Sequence, residues 1–152
     1  MKIIAVKDSF DGRTPLVPDS VKKLCKLKDV EVIIEKGLSS IFSDQEYLDA
    51  GASILERNKA LKSADIILGV SRLHIEELSI VKPSTLVISF LDVFSDKEYV
   101  KHLKSAKVST ISLEMIPRTT LAQKMDAITS QASLAGYAAV IADVFKEDVL
   151  II

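Results

Sequence analysis

Residues 64–90, ADIILGVSRLHIEELSIVKPSTLVISF, contain two short aliphatic runs separated by a helical pattern. The runs IILGV and TLVISF are short and aliphatic, so they predict buried strands. The segment 74–81 between them predicts a helix, and Pro83 ends it. Strand, helix and strand in this order are typical of a parallel pair joined by a crossover helix.

The same alternation continues on both sides of this unit. Further strands are predicted in aliphatic runs at residues 3–6, 29–34, 52–55 and 108–116. Helix starts are predicted at Pro18-Asp19-Ser20, at Ser43 or Asp44 with a stop at Gly51, at Arg57 and at Ser95. We therefore predict an α/β fold, Rossmann-like or flavodoxin-like, with a doubly wound, mainly parallel sheet and helices on both faces.

The C-terminal part of the sequence predicts a long helix. From Leu121 to about Phe145 the only glycine or proline is Gly136, and alanine is frequent. We assign a helix to residues 120–147 and expect Gly136 to allow close packing on a neighbour. The run KEDVLII follows and resembles a strand. Residues 1–152 are predicted to form one domain whose last helix leads to a further, missing domain; a docked C-terminal strand is the alternative.

Composition narrows the class of protein. The 20 basic and 21 acidic side chains give a net charge of −1, so no basic excess favours nucleic acid or an anionic membrane surface. No apolar run approaches the roughly 20 residues of a membrane span, and the N-terminal apolar stretch is too short for a signal peptide. The single cysteine, Cys25, is expected to be a buried thiol on a helix. We expect a soluble, cytoplasmic domain.

The sequence lacks the motifs by which such folds bind phosphates or metals. Its glycines stand at positions 12, 37, 51, 69 and 136, which excludes GxGxxG and Walker-type loops. His74 and His102 are far apart and match no metal-ligand spacing, so no metal site is predicted. No GxSxG elbow occurs. His102 is expected at the surface, and His74 near a switch point of the sheet.

Two polar segments are candidate sites. The first holds Lys7, Asp8 and Arg13 in the loop after the first strand, where ligands gather in parallel sheets. A solvated loop in which Arg13 pairs with Asp8 or Asp11 is the alternative.

The second segment is PRTTLAQKMDAITSQASLAGY, residues 117–137. The polar side chains Gln123, Asp126, Thr129 or Ser130, and Ser133 recur at three- and four-residue spacing. On a helix this spacing forms one stripe, which could present hydrogen-bonding groups to a ligand. A solvated helix face gives the same pattern.

The run MIPRTTLAQKMDAITSQASLAGYAAVI, residues 115–141, resembles a signature of proton-translocating nicotinamide nucleotide transhydrogenase α subunits. The shared features are Pro-Arg, Ala-Gln, Met-Asp, two hydroxyl residues followed by Gln, and Leu-Ala-Gly-Tyr. The similarity extends upstream through Lys7, Arg13 and Pro18, through SDQEYLDAGASI and through SADIILGV. Alanine dehydrogenases share this domain, but their version of 115–141 differs.

This resemblance implies a portion of a larger enzyme. In the family, a second domain of the α subunit binds NAD(H), another component binds NADP(H), and hydride transfer between them is coupled to proton translocation. The chain would be the N-terminal domain and one wall of the NAD(H) cleft. Implied partners are the dinucleotide-binding domain, the NADP(H)-binding component, the membrane component and a second copy in a homodimer. The domain would lie on the cytoplasmic side of the inner membrane, catalytically silent and without bound cofactor when alone.

The resemblance also implies roles for single residues. Arg118 and Asp126 would orient the nicotinamide ring and its carboxamide, assisted by the hydroxyl of Thr129 or Ser130. Gln123 would face the NADP(H) of the partner, so Gln123 and Asp126 are the candidate catalytic positions. Hydride transfer needs two rings held close together with water excluded, and no protein acid or base.

The sequence departs from the family pattern at three positions. Gly69 replaces a usual Lys, Leu121 replaces a common Arg, and Ser133 replaces an Asn. These departures keep two alternatives open. One is a stand-alone, non-catalytic binding or assembly module. The other is an alanine dehydrogenase-like fragment with a substrate-carboxylate site at Arg13.

Overall fold

The structure is a computed structural model that describes residues 1–9 and 12–145. The chain divides into two compact units, Met1–Ser112 and Leu113–Ile152, which are taken separately below. The single domain over 1–152 stays a prediction, and the strand-like run KEDVLII lies outside the described residues.

The first unit is built on a six-stranded parallel sheet in the order β3-β2-β1-β4-β5-β6. Its strands are β1 Lys2–Ala5, β2 Glu31–Glu35, β3 Ser53–Leu55, β4 Ile66–Leu68, β5 Leu86–Ser89 and β6 Ser109–Ser112. Its helices are α1 Pro18–Leu24, α2 Asp44–Asp49, α3 Arg57–Ser63, α4 Ile75–Leu78 and α5 Lys97–Ser105. The predicted α/β class and the parallel sheet are confirmed. The strand order reverses between β1 and β4, so the switch point lies there.

The two faces of the sheet carry separate apolar cores. Ile4 and Ile33 belong to one core, whereas Ala5, Val32 and Ile34 belong to the other. This division follows from the strand geometry, because successive side chains point to opposite faces. Burial on both faces explains why β1 and β2 are continuous aliphatic runs.

Local signals set most helix boundaries. Ser43 accepts a hydrogen bond from the N–H of Glu46, whose carboxylate accepts one from the N–H of Ser43. This capping box begins α2, and Gly51, at φ +99°, follows its end. The helix predicted from Ser95 instead begins at Lys97, because the carboxylate of Asp96 caps it by accepting from the N–H of Tyr99 at 2.9 Å.

Two boundaries near the second unit differ from the prediction. The last strand ends at Ser112 rather than at residue 116, and a 3-10 helix, Leu113–Met115, follows it. The long helix, α6, spans Ala127–Phe145 and is preceded by a 3-10 helix at Gln123–Met125. A helix beginning at 120 or 121 was therefore wrong. Asp126 has an extended backbone with ψ near 90°, which separates the two helical segments.

Gly136 does not pack closely on another region of the described chain. A Cβ placed on Gly136 meets no described atom within 4 Å, so the predicted close packing is wrong for these residues. Leu134, Tyr137 and Val140 on the same helix are exposed. Among the described helices, none combines the length and apolarity of a membrane span.

Candidate functional site

The predicted cofactor residues all lie in the second unit, but they do not form one helical stripe. Gln123 is in the 3-10 helix, Asp126 lies between the two helical segments, and Thr129 and Ser130 are in the first turn of α6. Arg118 precedes both segments and is exposed. The expected stripe is therefore corrected, because only its C-terminal members are on the long helix.

Asp126 and Thr129 form the best-defined contact in this segment. The Thr129 N–H donates to Asp126 Oδ1 at 3.0 Å, and the Thr129 hydroxyl donates to Oδ2 at 2.6 Å. A helix leaves its first N–H groups without partners, and Asp126 supplies an acceptor to one of them. The hydrogen bonds from the Thr129 hydroxyl and N–H lower the pKa of Asp126, and the positive charge of Arg118 lowers this pKa further.

The other predicted residues differ in how they are held. The Ser130 hydroxyl donates to the carbonyl of Ala127 at 3.0 Å, so its proton is used within the helix. Gln123 is exposed, and its side-chain amide has no hydrogen-bond partner among the described residues. The structure thus joins Asp126 to Thr129 by contact and to Arg118 by charge, and leaves Gln123 open to solvent.

The loop after β1 is tied to its neighbours rather than freely solvated. Asp8 is 8% exposed, and its carboxylate accepts from the N–H of Ser71 at 2.7 Å. The Lys7 N–H donates to Glu35 Oε2 at 2.7 Å. Of the predicted partners for Arg13, Asp11 lies outside the described residues. The loops after β1 and β4 are therefore fastened together at the switch point.

Sequence reasoning missed an ion-pair cluster at this carboxyl edge. Arg57, at the start of α3, donates from Nη1 to Glu35 Oε2 at 2.7 Å and from Nη2 to Glu77 Oε2 at 3.1 Å. Its Nε also pairs with Glu77, and Nη1 donates to the carbonyl of Lys7 at 3.0 Å. The three side chains are half-buried or less exposed and join β2, α3 and α4.

The protonation states of this cluster favour the ion pairs. Burial raises the pKa of Glu77, but the hydrogen bonds from Arg57 and from the N–H of His74 outweigh burial and leave this pKa below its usual value. The hydrogen bond to Glu77 raises the pKa of Arg57. No local pattern reveals the cluster, because Arg57 and Glu77 are brought together only by the sheet topology.

Gly69 occupies a confined place at the end of β4. A Cβ on Gly69 would lie 3.0 Å from the carbonyl oxygen of Ser71 and 3.6 Å from both Val6 Cγ2 and Ser89 Cβ. Carbonyl oxygens belong to the backbone and cannot rotate away. The loop therefore leaves no room for the lysine that the transhydrogenase pattern has at this position.

The histidines and the cysteine do not form a metal centre. His74 and His102 are both exposed, as predicted for His102, and no group of three or more metal-binding side chains occurs among the described residues. Cys25 is half-buried rather than buried, and its thiol donates to the carbonyl of Gly51 at 3.4 Å.

Comparison with known proteins gives a consistent relationship. A family model described as alanine dehydrogenase/PNT, N-terminal domain, matches residues 6–135. In Rickettsia prowazekii, the first polypeptide of a divided NAD(P) transhydrogenase subunit alpha is 36% identical over 93% of this chain and 39% of that protein. The NAD(P) transhydrogenase subunit alpha of Cereibacter sphaeroides is 36% identical over 93% of this chain and 28% of that protein.

A solved structure shows the same similarity. The crystal structure of transhydrogenase from Sinorhizobium meliloti matches with a TM-score of 0.91 and 36% identity, covering 98% of this chain and 46% of that one. The chain thus spans less than half the length of these relatives. With a family match over most of its length, the chain belongs to the alanine dehydrogenase/PNT N-terminal domain family.

Proposed function

We propose that this chain acts as the first domain of an NAD(P) transhydrogenase α subunit and forms one wall of its NAD(H) cleft. The complete enzyme would transfer hydride between NADH and NADP⁺ and couple the transfer to proton translocation. The main observation in support is the carboxylate of Asp126, fixed by Thr129 and placed near the charge of Arg118, within the segment that resembles the transhydrogenase signature.

The chemistry of this arrangement suits a nicotinamide. An ionised carboxylate only accepts hydrogen bonds, so Asp126 would receive the NH₂ of the carboxamide, while Arg118 would donate to the carboxamide oxygen. Gln123 would face the NADP(H) of the partner component. Ser130 would contribute less than Thr129, because its hydroxyl already donates to Ala127. The chain would orient a ring and exclude water rather than move a proton.

The proposal requires partners for this chain. NAD(H) would be held mainly by a dinucleotide-binding domain of the same subunit, because the sequence has no glycine-rich phosphate turn. An NADP(H)-binding component, a membrane component and a second copy of the subunit would complete the enzyme at the cytoplasmic face of the membrane. The exposed apolar side chains Leu134, Tyr137 and Val140 on α6 support such packing, since monomeric proteins rarely leave apolar patches uncovered.

A second candidate is a stand-alone, non-catalytic binding or assembly module of the same fold. Gly69 favours it, because the loop carbonyl of Ser71 occupies the space of the lysine found in the family pattern. Leu121, which replaces a common Arg, is 94% exposed and offers an apolar rather than a charged contact. The crowding at Gly69 also removes support from an alanine dehydrogenase-like activity that needs a lysine there.

Substitution of Asp126 and of Arg118 in the full-length subunit separates these functions. With the NADP(H) component present, Asp126→Ala and Arg118→Ala should each lower the hydride-transfer rate by about 100-fold, as expected when reacting groups lose their alignment. Both should leave the melting temperature within about 2 °C, because surface changes outside special structures cost little. Glu98→Gln on α5 is the control for both quantities. A large fall in melting temperature with unchanged hydride transfer would favour the non-catalytic module.

A further inference from the structure

The hydroxyl of Thr129 is already engaged before any ligand binds. A threonine hydroxyl has one proton, and Thr129 directs it to Asp126 Oδ2 at 2.6 Å. This distance is typical of a strong hydrogen bond to an ionised carboxylate. Thr129 therefore has no proton left for a nicotinamide carboxamide and can only accept a hydrogen bond.

Asp126, in contrast, keeps capacity for a ligand. A carboxylate has about four acceptor positions, and Thr129 fills one on each oxygen. The remaining positions have a fixed direction, because both donors belong to one residue in the first turn of a 19-residue helix. The branched side chain of Thr129 adds rigidity, since its χ1 angle is restricted.

We propose that Thr129 is a positioning residue that fixes the carboxylate of Asp126 for its ligand and does not itself donate to the nicotinamide. The inference rests on the proposed function for the identity of the ligand. It differs from a direct contact by Thr129, because Thr129 would influence hydride transfer only through Asp126. Arg118 is the charged group that also acts on Asp126, and substitution of Thr129 leaves its charge unchanged.

The first test is a carbon-detected NMR titration of Asp126 in this chain. Thr129→Val removes the hydroxyl and keeps the shape and the backbone N–H, so the pKa of Asp126 should rise towards its ordinary value. Thr129→Ser keeps both donors and should retain the pKa of the unchanged chain. Ser130→Ala is the matched control, because that hydroxyl binds Ala127. Unchanged amide signals of Met1–Ser112 would verify folding.

An equal pKa of Asp126 in Thr129→Val and in the unchanged chain would overturn the proposed hydrogen bond. A rise in Ser130→Ala as large as that in Thr129→Val would do the same. These titrations use no nucleotide, so their outcome is independent of the proposed function.

The second test is a double-mutant cycle on hydride transfer by the full-length subunit. Thr129→Val alone should lower the rate by about 10-fold, and Thr129→Ser should restore it. In an Asp126→Asn background, Thr129→Val should cause no further loss, because Thr129 acts through Asp126. Losses that multiply would show a direct contact and overturn the inference. If the unchanged full-length subunit transfers no hydride, the proposed function fails, and the titration still decides whether Thr129 holds Asp126.

Discussion

Among single residues, Arg57 joins the largest number of elements at the carboxyl edge of the sheet. Arg57→Leu would leave Glu35 and Glu77, whose side chains are each 13% exposed, without their cation. Removing one partner of a buried pair costs about 3–5 kcal/mol, and the residual exposure of this cluster places our expectation at about 2–4 kcal/mol of unfolding free energy. Urea denaturation measures this loss.

The control for Arg57 is an ion pair of the same type at the surface. Lys101 and Glu98 are paired at 2.6 Å with both side chains more than 70% exposed. Lys101→Leu should change the unfolding free energy by no more than about 1 kcal/mol, because exposed pairs contribute little. Equal effects of Arg57→Leu and Lys101→Leu would contradict a stabilising role for the cluster.

The pH dependence of stability also depends on this cluster. The pKa of Glu77 is below its ordinary value of 4.5 in the folded chain. A group with a lowered pKa stabilises the fold above its unfolded pKa, and this contribution is lost as the pH falls through the folded pKa. Unfolding free energy should therefore fall between about pH 5 and about pH 3, and less steeply in Arg57→Leu. An equal slope in both proteins would show that Glu77 does not contribute.

Residue-level features could be predicted from the sequence only where they are local. Ser43 and Glu46 lie three positions apart, so the capping box was visible in the pattern. Arg57 and Glu77 meet because α3 and α4 flank the carboxyl edge of the sheet, and no local pattern records this. The burial of Asp8 depends likewise on the distant N–H of Ser71.

Among the elements, α2 depends most clearly on a single cap. Ser43→Ala removes the acceptor for the N–H of Glu46 and should lower the unfolding free energy by about 1 kcal/mol. Ser105→Ala on α5 is the control, because its hydroxyl donates to the carbonyl of Lys101 within an existing helix turn. Calorimetric unfolding of both variants measures the difference. A larger effect of Ser105→Ala would contradict the capping account.

The helix α6 should be stabilised by alanine at position 136. A methyl group there meets no described atom within 4 Å, and alanine is favoured over glycine in helices by about 1 kcal/mol. Gly136→Ala should therefore raise amide protection against hydrogen exchange in α6. Ala132→Gly, at an exposed position of the same helix, should lower it by a similar factor. Reduced protection in Gly136→Ala would reveal a closely packed neighbour.

Element types were predictable because the strands are aliphatic runs buried on both faces. The start of α6 was not, because residues 121–125 are good helix formers and contain no glycine or proline. Asp126 ends that run by accepting the N–H of Thr129, which offers the backbone an alternative to a continuous helix. A sequence pattern does not distinguish an aspartate within a helix from one that caps it.

For the whole molecule, the sequence indicated the fold class and the family but not the arrangement of the strands. Alternating strands and helices suit several doubly wound orders, and only the structure establishes β3-β2-β1-β4-β5-β6. The family was visible because 115–141 is a specific pattern. The half-site itself was less visible, because the proposed cofactor contacts depend on how Asp126 is held rather than on spacing alone.

NADH binding measured by calorimetry tests the central claim most directly. This chain should be compared with the full-length subunit that includes the dinucleotide-binding domain. We expect binding by the full-length subunit and none by this chain, because a half-site without a phosphate-binding turn lacks most of the contacts to a dinucleotide. Micromolar binding by this chain alone would show a complete ligand site within residues 1–152 and contradict the account.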